Sequence, residues 1–251
     1  AFLCMTYAVY GLIVGAWAEP FAEKAAAAEE NGRKKKTQAK RLDPSLLARN
    51  IGIGFTVVVV LTLCGNLYAT SKANAPAGST DEFMSNLSAA ARLDLYEGND
   101  KKLSYVVASL NEGGEAYRAQ ADEYAAQLSK VQSNTIPRYL VGYYLQTGQY
   151  DKAIDEAILG ATYSASNADT WNSCAALLNE ALFQSMLTPL LTEDREPLMA
   201  KLTAYRDALE AHNTGAYVPV GLDETAQAFF DKIVILNGCM DDDRLFAETL
   251  F

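Results

Sequence analysis

Residues 138–157 read RYLVGYYLQTGQYDKAIDEA. Leu140 and Tyr144 stand at helical spacing before Gly148, and Tyr150 and Ala153 follow it. That order is what two helices joined by a tight turn require: interlocking apolar side chains, a glycine at the turn, and a small residue where the helices cross. Related positions recur at a fixed period on either side of this stretch. With Asp100, Asn134 and Ala168 as starts, the fourth position is Leu103, Pro137 and Trp171. The seventh is Val106, Leu140 and Cys174, the eighth Val107, Val141 and Ala175, and the eleventh Leu110, Tyr144 and Leu178. In the first two copies the turn glycine is Gly114 or Gly148, and the small residue is Ala119 or Ala153.

A 34-residue helix-turn-helix period with this spacing resembles the tetratricopeptide repeat (TPR). The resemblance covers roughly residues 84–187, with its fullest match at 138–157. It departs from the pattern at Ala116, where the second copy has Tyr150, and in the third copy, which lacks the turn glycine and diverges after Leu182. An unrelated helical bundle is the other arrangement such periodicity allows. The resemblance implies a groove lined by the first helix of each pair, and on it Ser104, Arg138, Gln146 and Asn172 are binding candidates. Of the tyrosines in the second copy, Tyr144 and Tyr150 belong to the core, whereas Tyr139 and Tyr143 are expected on a recognition surface.

Beyond Pro189 the pattern stays helical without repeating. Leu198, Leu202, Tyr205 and Leu209 share one helix face, and Ala226, Phe229, Phe230, Ile233 and Leu236 share another. Residues 189–251 thus read as a helical cap over the end of the array. Between those helices, TGAYVPVG (214–221) reads as a loop with short extended character.

Upstream the chain changes character. Residues 1–18 and 51–70 hold no charged side chain. The 19–50 segment between them carries eight Lys/Arg against five Asp/Glu, hence +3, and residues 71–251 carry 13 against 26, hence −13. A helix crossing a bilayer needs about 20 apolar residues. Segment 51–70 supplies them with only Thr56, Thr62, Asn66 and Thr70 as polar interruptions. A buried hairpin or core helix is the competing reading. Segment 1–18 reads as another span, flanked by Tyr7, Tyr10 and Trp17, with a signal peptide cut after Ala18 as its rival. The chain begins without Met and is expected to start inside a longer reading frame. Basic loops stay in the cytoplasm, so 19–50, with its Arg33–Lys36 cluster, is predicted cytoplasmic and everything after 70 extracytoplasmic. Residues 71–80 (SKANAPAGST) form the linker, and 81–188 the repeats. The predicted fold class is all-α: two transmembrane helices followed by a TPR-like α-helical hairpin array with a helical C-terminal cap.

Chemistry is sparse. His212 is the only histidine, which excludes His-rich metal sites and leaves a Ser-His-Asp triad only one possible histidine. It falls near a helix end, where it is expected against terminal carbonyls. No GxGxxG, GxxxxGK[ST], CxxC or HExxH occurs. Asp241–Asp243 lacks the ligand spacing of a calcium loop and reads as a solvated or helix-capping run. Cys174 and Cys239 fall where a disulfide is permitted, or are buried thiols. No catalytic residue, metal site or cofactor is assigned to this stretch. The net charge of −10 argues against a nucleic-acid partner. The expected partners are the lipid bilayer and a protein or peptide bound by the array.

AARLDLYEGND (90–100), placed after a membrane span, is similar to the phrase that opens the TPR tails of O-antigen ligase/polymerase-like membrane proteins, with Leu95 in place of their usual proline. The resemblance implies the C-terminal portion of a bacterial cell-envelope glycan-assembly protein, its catalytic segments lying upstream. The alternative is a membrane-anchored scaffold for envelope assembly, secretion or division, with no enzymatic parent.

Overall fold

The computed structural model describes residues 44–94, 97–112, 114–192 and 195–251. The proposed first span and all but the last few residues of the basic loop lie outside the described residues. Those described form helices and the loops between them, with no strand among them; of 214–221, the first two residues end a helix and the rest bends at 217–218 without strand pairing.

The chain divides after Tyr68 into two compact units. In the first, α1 (Pro44–Ala73) begins at a proline and runs through the second uncharged segment into the second unit. Its stretch Asn50–Ala73 is the one helix among the described residues long and apolar enough to cross a membrane. At 1.5 Å per residue, its 24 residues span about 36 Å. Its Ile51, Ile53, Val57, Val58, Leu61 and Leu67 are exposed rather than packed into a core. The Thr56 and Thr62 hydroxyls donate back to the Gly52 and Val58 carbonyls, each at 2.9 Å. Two of the polar interruptions are thereby satisfied inside the helix itself.

Within the second unit, α1 ends at Ala73 and residues 74–79 connect it to the next helix, the first part of the expected linker being helical. The unit further comprises α2 (Thr80–Leu93), α3 (Gly98–Glu112), a 3₁₀ turn (Gly114–Tyr117), α4 (Arg118–Leu128), α5 (Ile136–Gln146), α6 (Tyr150–Tyr163), α7 (Ala168–Gln184), the single turn α8 (Leu187–Leu190), α9 (Arg195–Gly215), α10 (Glu224–Gly238) and α11 (Asp243–Leu250). Four of the helices start where a side chain caps them. The Ser79 hydroxyl accepts from Glu82 N–H at the start of α2. Asn167 caps α7, Asp223 caps α10, and Asp242 of the acidic run caps α11.

Each helix packs on near neighbours in the stack. α2 packs on α3, α3 on α4 and α5, α5 on α6 and α7, and α6 on α7 and α9; α10 packs on α7, α9 and α11. One continuous core runs from Met84 to Leu250. The repeat spacing places Val106, Leu140 and Cys174 in that core, all fully buried. The first copy departs from the expected register in its second helix: Ala119 is exposed, and Ala121 is the buried small residue. The 3₁₀ turn ahead of α4 takes up the extra two positions. Cys174 and Cys239 are both buried and unpaired, so the open choice resolves to free thiols.

Residues 189–251 do more than cover an end. Trp171 of α7 stacks on Tyr205 of α9, with ring centroids 5.2 Å apart and planes within 5°. Tyr205 also meets Phe229 and Phe230 of α10. The Trp171 indole N–H donates to the Ala165 carbonyl at 3.1 Å, which satisfies its polar edge as burial requires. His212 departs from expectation: its buried Nε2 has no hydrogen-bond partner.

Candidate functional site

Three candidates stand at one repeat position on helices that pack in succession: Ser104 on α3, Arg138 on α5 and Asn172 on α7. Ser104 is exposed, and its hydroxyl donates to the Asp100 carbonyl at 2.7 Å. Arg138 is half-buried. Asn172 is already engaged: its Nδ2 donates to Gly221 O at 3.4 Å and its Oδ1 accepts from Asp223 N–H at 3.1 Å. It anchors the segment that leads into α10 and is only partly available to a partner. Gln146 and Tyr139 are exposed on α5.

Tyr143 is a correction to the expected recognition surface. It is 1% exposed, with its hydroxyl donating to Asp122 Oδ1 at 2.9 Å. The same carboxylate oxygen accepts from Gln149 Nε2 at 3.0 Å. Arg118 Nη2 donates to the Thr147 carbonyl at 2.8 Å, and its guanidinium lies 5.9 Å from the Tyr143 ring centroid. The group ties α4 to α5 and to the turn before α6. Burial, with the hydrogen bond to Asp122 second, raises the Tyr143 hydroxyl well above the usual tyrosine range. Tyr143 is a structural strut.

The face has members beyond the expected candidates. One helical turn after Ser104, Arg138 and Asn172 come Ala108, Gly142 and Ala176, again at matching repeat positions and all half-buried. A Cβ built on Gly142 would meet nothing within 4 Å. The floor of the face is therefore lined by small residues and is open at its middle helix. The signal is the same period, but small residues do not contrast with their surroundings in hydropathy as a leucine or an arginine does.

Beneath the floor lies a buried titratable group. Burial pushes the Cys174 thiol up to about 12, with the Arg138 charge opposing and Glu156 reinforcing the rise. Tyr144 is also pushed up to about 12, by burial first and then by the Glu156 and Asp122 charges. Glu156 itself is buried, and burial raises its carboxyl, partly offset by a hydrogen bond from Ser129. Burial holds the Cys174 thiol and the Tyr144 hydroxyl in their neutral forms, an arrangement suited to packing rather than to nucleophilic chemistry. Among the described residues no group of three or more His, Cys, Asp or Glu could hold a metal ion.

Ser104, Arg138 and Asn172 thus stand on three helices that pack in succession, with Arg138 the cation among them. No protein-family model, curated protein or solved structure matches the chain.

Proposed function

We propose that this chain is a membrane-anchored interaction module. α1 crosses the bilayer, residues 19–50 lie on the cytoplasmic side, and the second unit is a TPR-like array that binds an extended peptide or protein segment along α3, α5 and α7. The observation that carries the reading is the recurrence of one face at the repeat period on helices that pack in succession, open at Gly142. A peptide laid there meets Tyr139, Arg138 and Gln146 without displacing any core side chain. The test is selection of displayed peptides against the full chain in lipid nanodiscs. Gly142→Leu, at an open position, and Arg138→Glu should abolish binding while leaving thermal unfolding intact. Peptides that bind both variants as well as the parent would refute the face as the binding site.

AARLDLYEGND favours a second reading at the level of the whole protein, the tail of an O-antigen ligase/polymerase-like protein of glycan assembly. The coding sequence upstream of Ala1 tests it. Eight or more further spans with a large exported loop would support it, and a start codon immediately before Ala1 would remove it, leaving the scaffold.

A further inference from the structure

Two cations converge on the last helix of an acidic region. Residues 149–251 hold 6 Lys/Arg against 17 Asp/Glu. Two of those six, Arg195 at the start of α9 and Lys232 within α10, contact α11. Arg195 Nη2 lies 2.6 Å from Asp243 Oδ1, and its guanidinium stands 5.0 Å from the Phe246 ring centroid. Lys232 Nζ donates to the Leu250 carbonyl at 3.1 Å and lies 3.5 Å from the centroid of the exposed Phe183 ring of α7. Asp243, Phe246 and Leu250 are three and then four residues apart, one face of a helix. Lys232 engages a helix end rather than a side chain. The last carbonyls of a helix lack partners within it and carry its negative pole, so an ammonium placed there selects a helix terminus.

α11 itself has little to hold it. Its eight residues are too few for a helix that is stable alone, and only Phe246 and Leu250 among them are buried. It packs on α10, whereas α10 also packs on α7 and α9 and carries the aromatic cluster with Trp171 and Tyr205. Local opening therefore frees α11 before α10. We infer that Arg195, Lys232 and Phe183 frame a docking seat for an acidic amphipathic helix of a partner protein, and that α11 occupies this seat in cis until displaced. The partner helix carries a carboxylate, a large apolar residue three positions on, and a second four further, near its C-terminal end. The chemistry of that occupant is read from α11, which sits there with Asp243, Phe246 and Leu250 at those positions. The two cations at the rim complement an acidic helix, whereas the acidic surroundings repel free anions less closely matched to the seat.

The probe is a fluorescent synthetic peptide DDDRLFAETLF, residues 241–251, added to the full chain in lipid nanodiscs. In the chain, the pair Phe246→Ser and Leu250→Ser releases α11 and opens the seat. That variant should bind the peptide about tenfold more tightly than the unaltered chain, whose apparent affinity is reduced by the fraction of seats already filled. Adding Lys232→Gln or Arg195→Gln to the variant should remove the gain. A variant that unfolds cooperatively but binds no peptide, or binds equally well a peptide bearing the same two serines, overturns the inference. Hydrogen exchange on the unaltered chain tests displacement without any substitution. Amides of 246–250 should exchange faster than those of 229–236, and faster still with excess peptide. Equal protection of α10 and α11, unmoved by peptide, overturns the inference whatever the variants do. A concentration-dependent dimer of the unaltered chain that Lys232→Gln dissolves would assign the seat to a second copy's α11 and refute the separate partner.

Discussion

Two glycines on adjoining helices carry opposite constraints. A Cβ on Gly160 of α6 would come within 2.8 Å of Pro137 Cβ and 3.2 Å of Thr170 Cγ2. Neither neighbour yields easily, since one belongs to a closed ring and the other to a fully buried β-branched side chain whose hydroxyl donates to Asn134 O at 2.9 Å. Gly160→Ala should therefore destabilise the second unit by about 1–3 kcal/mol through overpacking, outweighing the helix-propensity gain. Gly142→Ala meets open space and keeps only that gain, a stabilisation of about 0.5–1 kcal/mol. Chemical denaturation of the two variants checks the contrast, and equal shifts of the same sign would contradict the packing of α5, α6 and α7. Glu156 supplies a prediction in pH. Its carboxyl is raised in the fold by burial, so the folded state holds the proton more tightly than the unfolded chain. Its contribution to stability is fully present below the ordinary glutamate value and is lost as pH rises through the raised one. Glu156→Gln keeps a hydrogen-bonding group for Ser129 and removes the charge. The variant should gain stability over the parent at pH 7, and the gap should close towards pH 4. A gap that does not change with pH would mean that the carboxyl is not desolvated.

At the level of elements, the α5–α6 turn shows what local sequence can specify. Gly148 has φ +71°, the only positive φ assigned to a residue of the described chain. Gln149 N–H reaches the Tyr144 carbonyl at 2.8 Å and Gly148 N–H the Leu145 carbonyl at 3.1 Å, closing a Schellman motif. Gly148→Ala should cost about 1–2 kcal/mol, the penalty of holding a Cβ in the left-handed region, readable as a lowered denaturation midpoint. Such a turn is legible because its glycine and its flanking apolar spacing lie within one short stretch. The α3–α4 connection is not, because the 3₁₀ turn Gly114–Tyr117 inserts two residues without disturbing any apolar pattern, so that Ala119 stands in sequence where Ala121 stands in the fold. Tyr143 eludes a sequence reading for a related reason. Its partner Asp122 is 21 residues earlier on another helix, and nothing in the local sequence around Tyr143 signals that bond. The shared position of Ser104, Arg138 and Asn172 is legible from the repeat period. The engagement of Asn172 with Gly221 and Asp223, far downstream, is not. Asn172→Ala releases that tether, so amide hydrogens of 220–223 should exchange faster while those of α5 and α6 remain protected.

For the molecule as a whole, the decisive matter is whether the segment after Pro189 is a lid or a continuation of the stack. The packing of α9 on α6 and of α10 on α7 repeats relations found earlier in the chain, such as α5 on α3 and α7 on α5. A cluster of buried rings, Trp171, Tyr205, Phe229 and Phe230, is shared across that boundary. Lys201 of α9 reaches back to Asp155 of α6 at 2.8 Å, but an ion pair this exposed adds little, and the rings dominate. Truncating a buried aromatic residue costs about 3–5 kcal/mol, while a domain of this size is stable by only about 5–15 kcal/mol. Removing three such rings at once exceeds most of that margin. A chain ended at Thr188 should therefore lose cooperative thermal unfolding, and Trp171, stripped of Tyr205 and Phe230, should emit at longer wavelength, as an indole in water does. Far-ultraviolet circular dichroism would still report helix from α1 and from partly formed helical pairs, so emission and cooperativity are the diagnostic readings. If the shortened chain unfolds with an unchanged midpoint and an unshifted Trp171 spectrum, residues 189–251 are a detachable cover. If it does not, the stack from α2 to α11 folds as one cooperative body, and any partner that engages α3, α5 and α7 binds a face whose rigidity depends on α9 and α10, well beyond it in the chain.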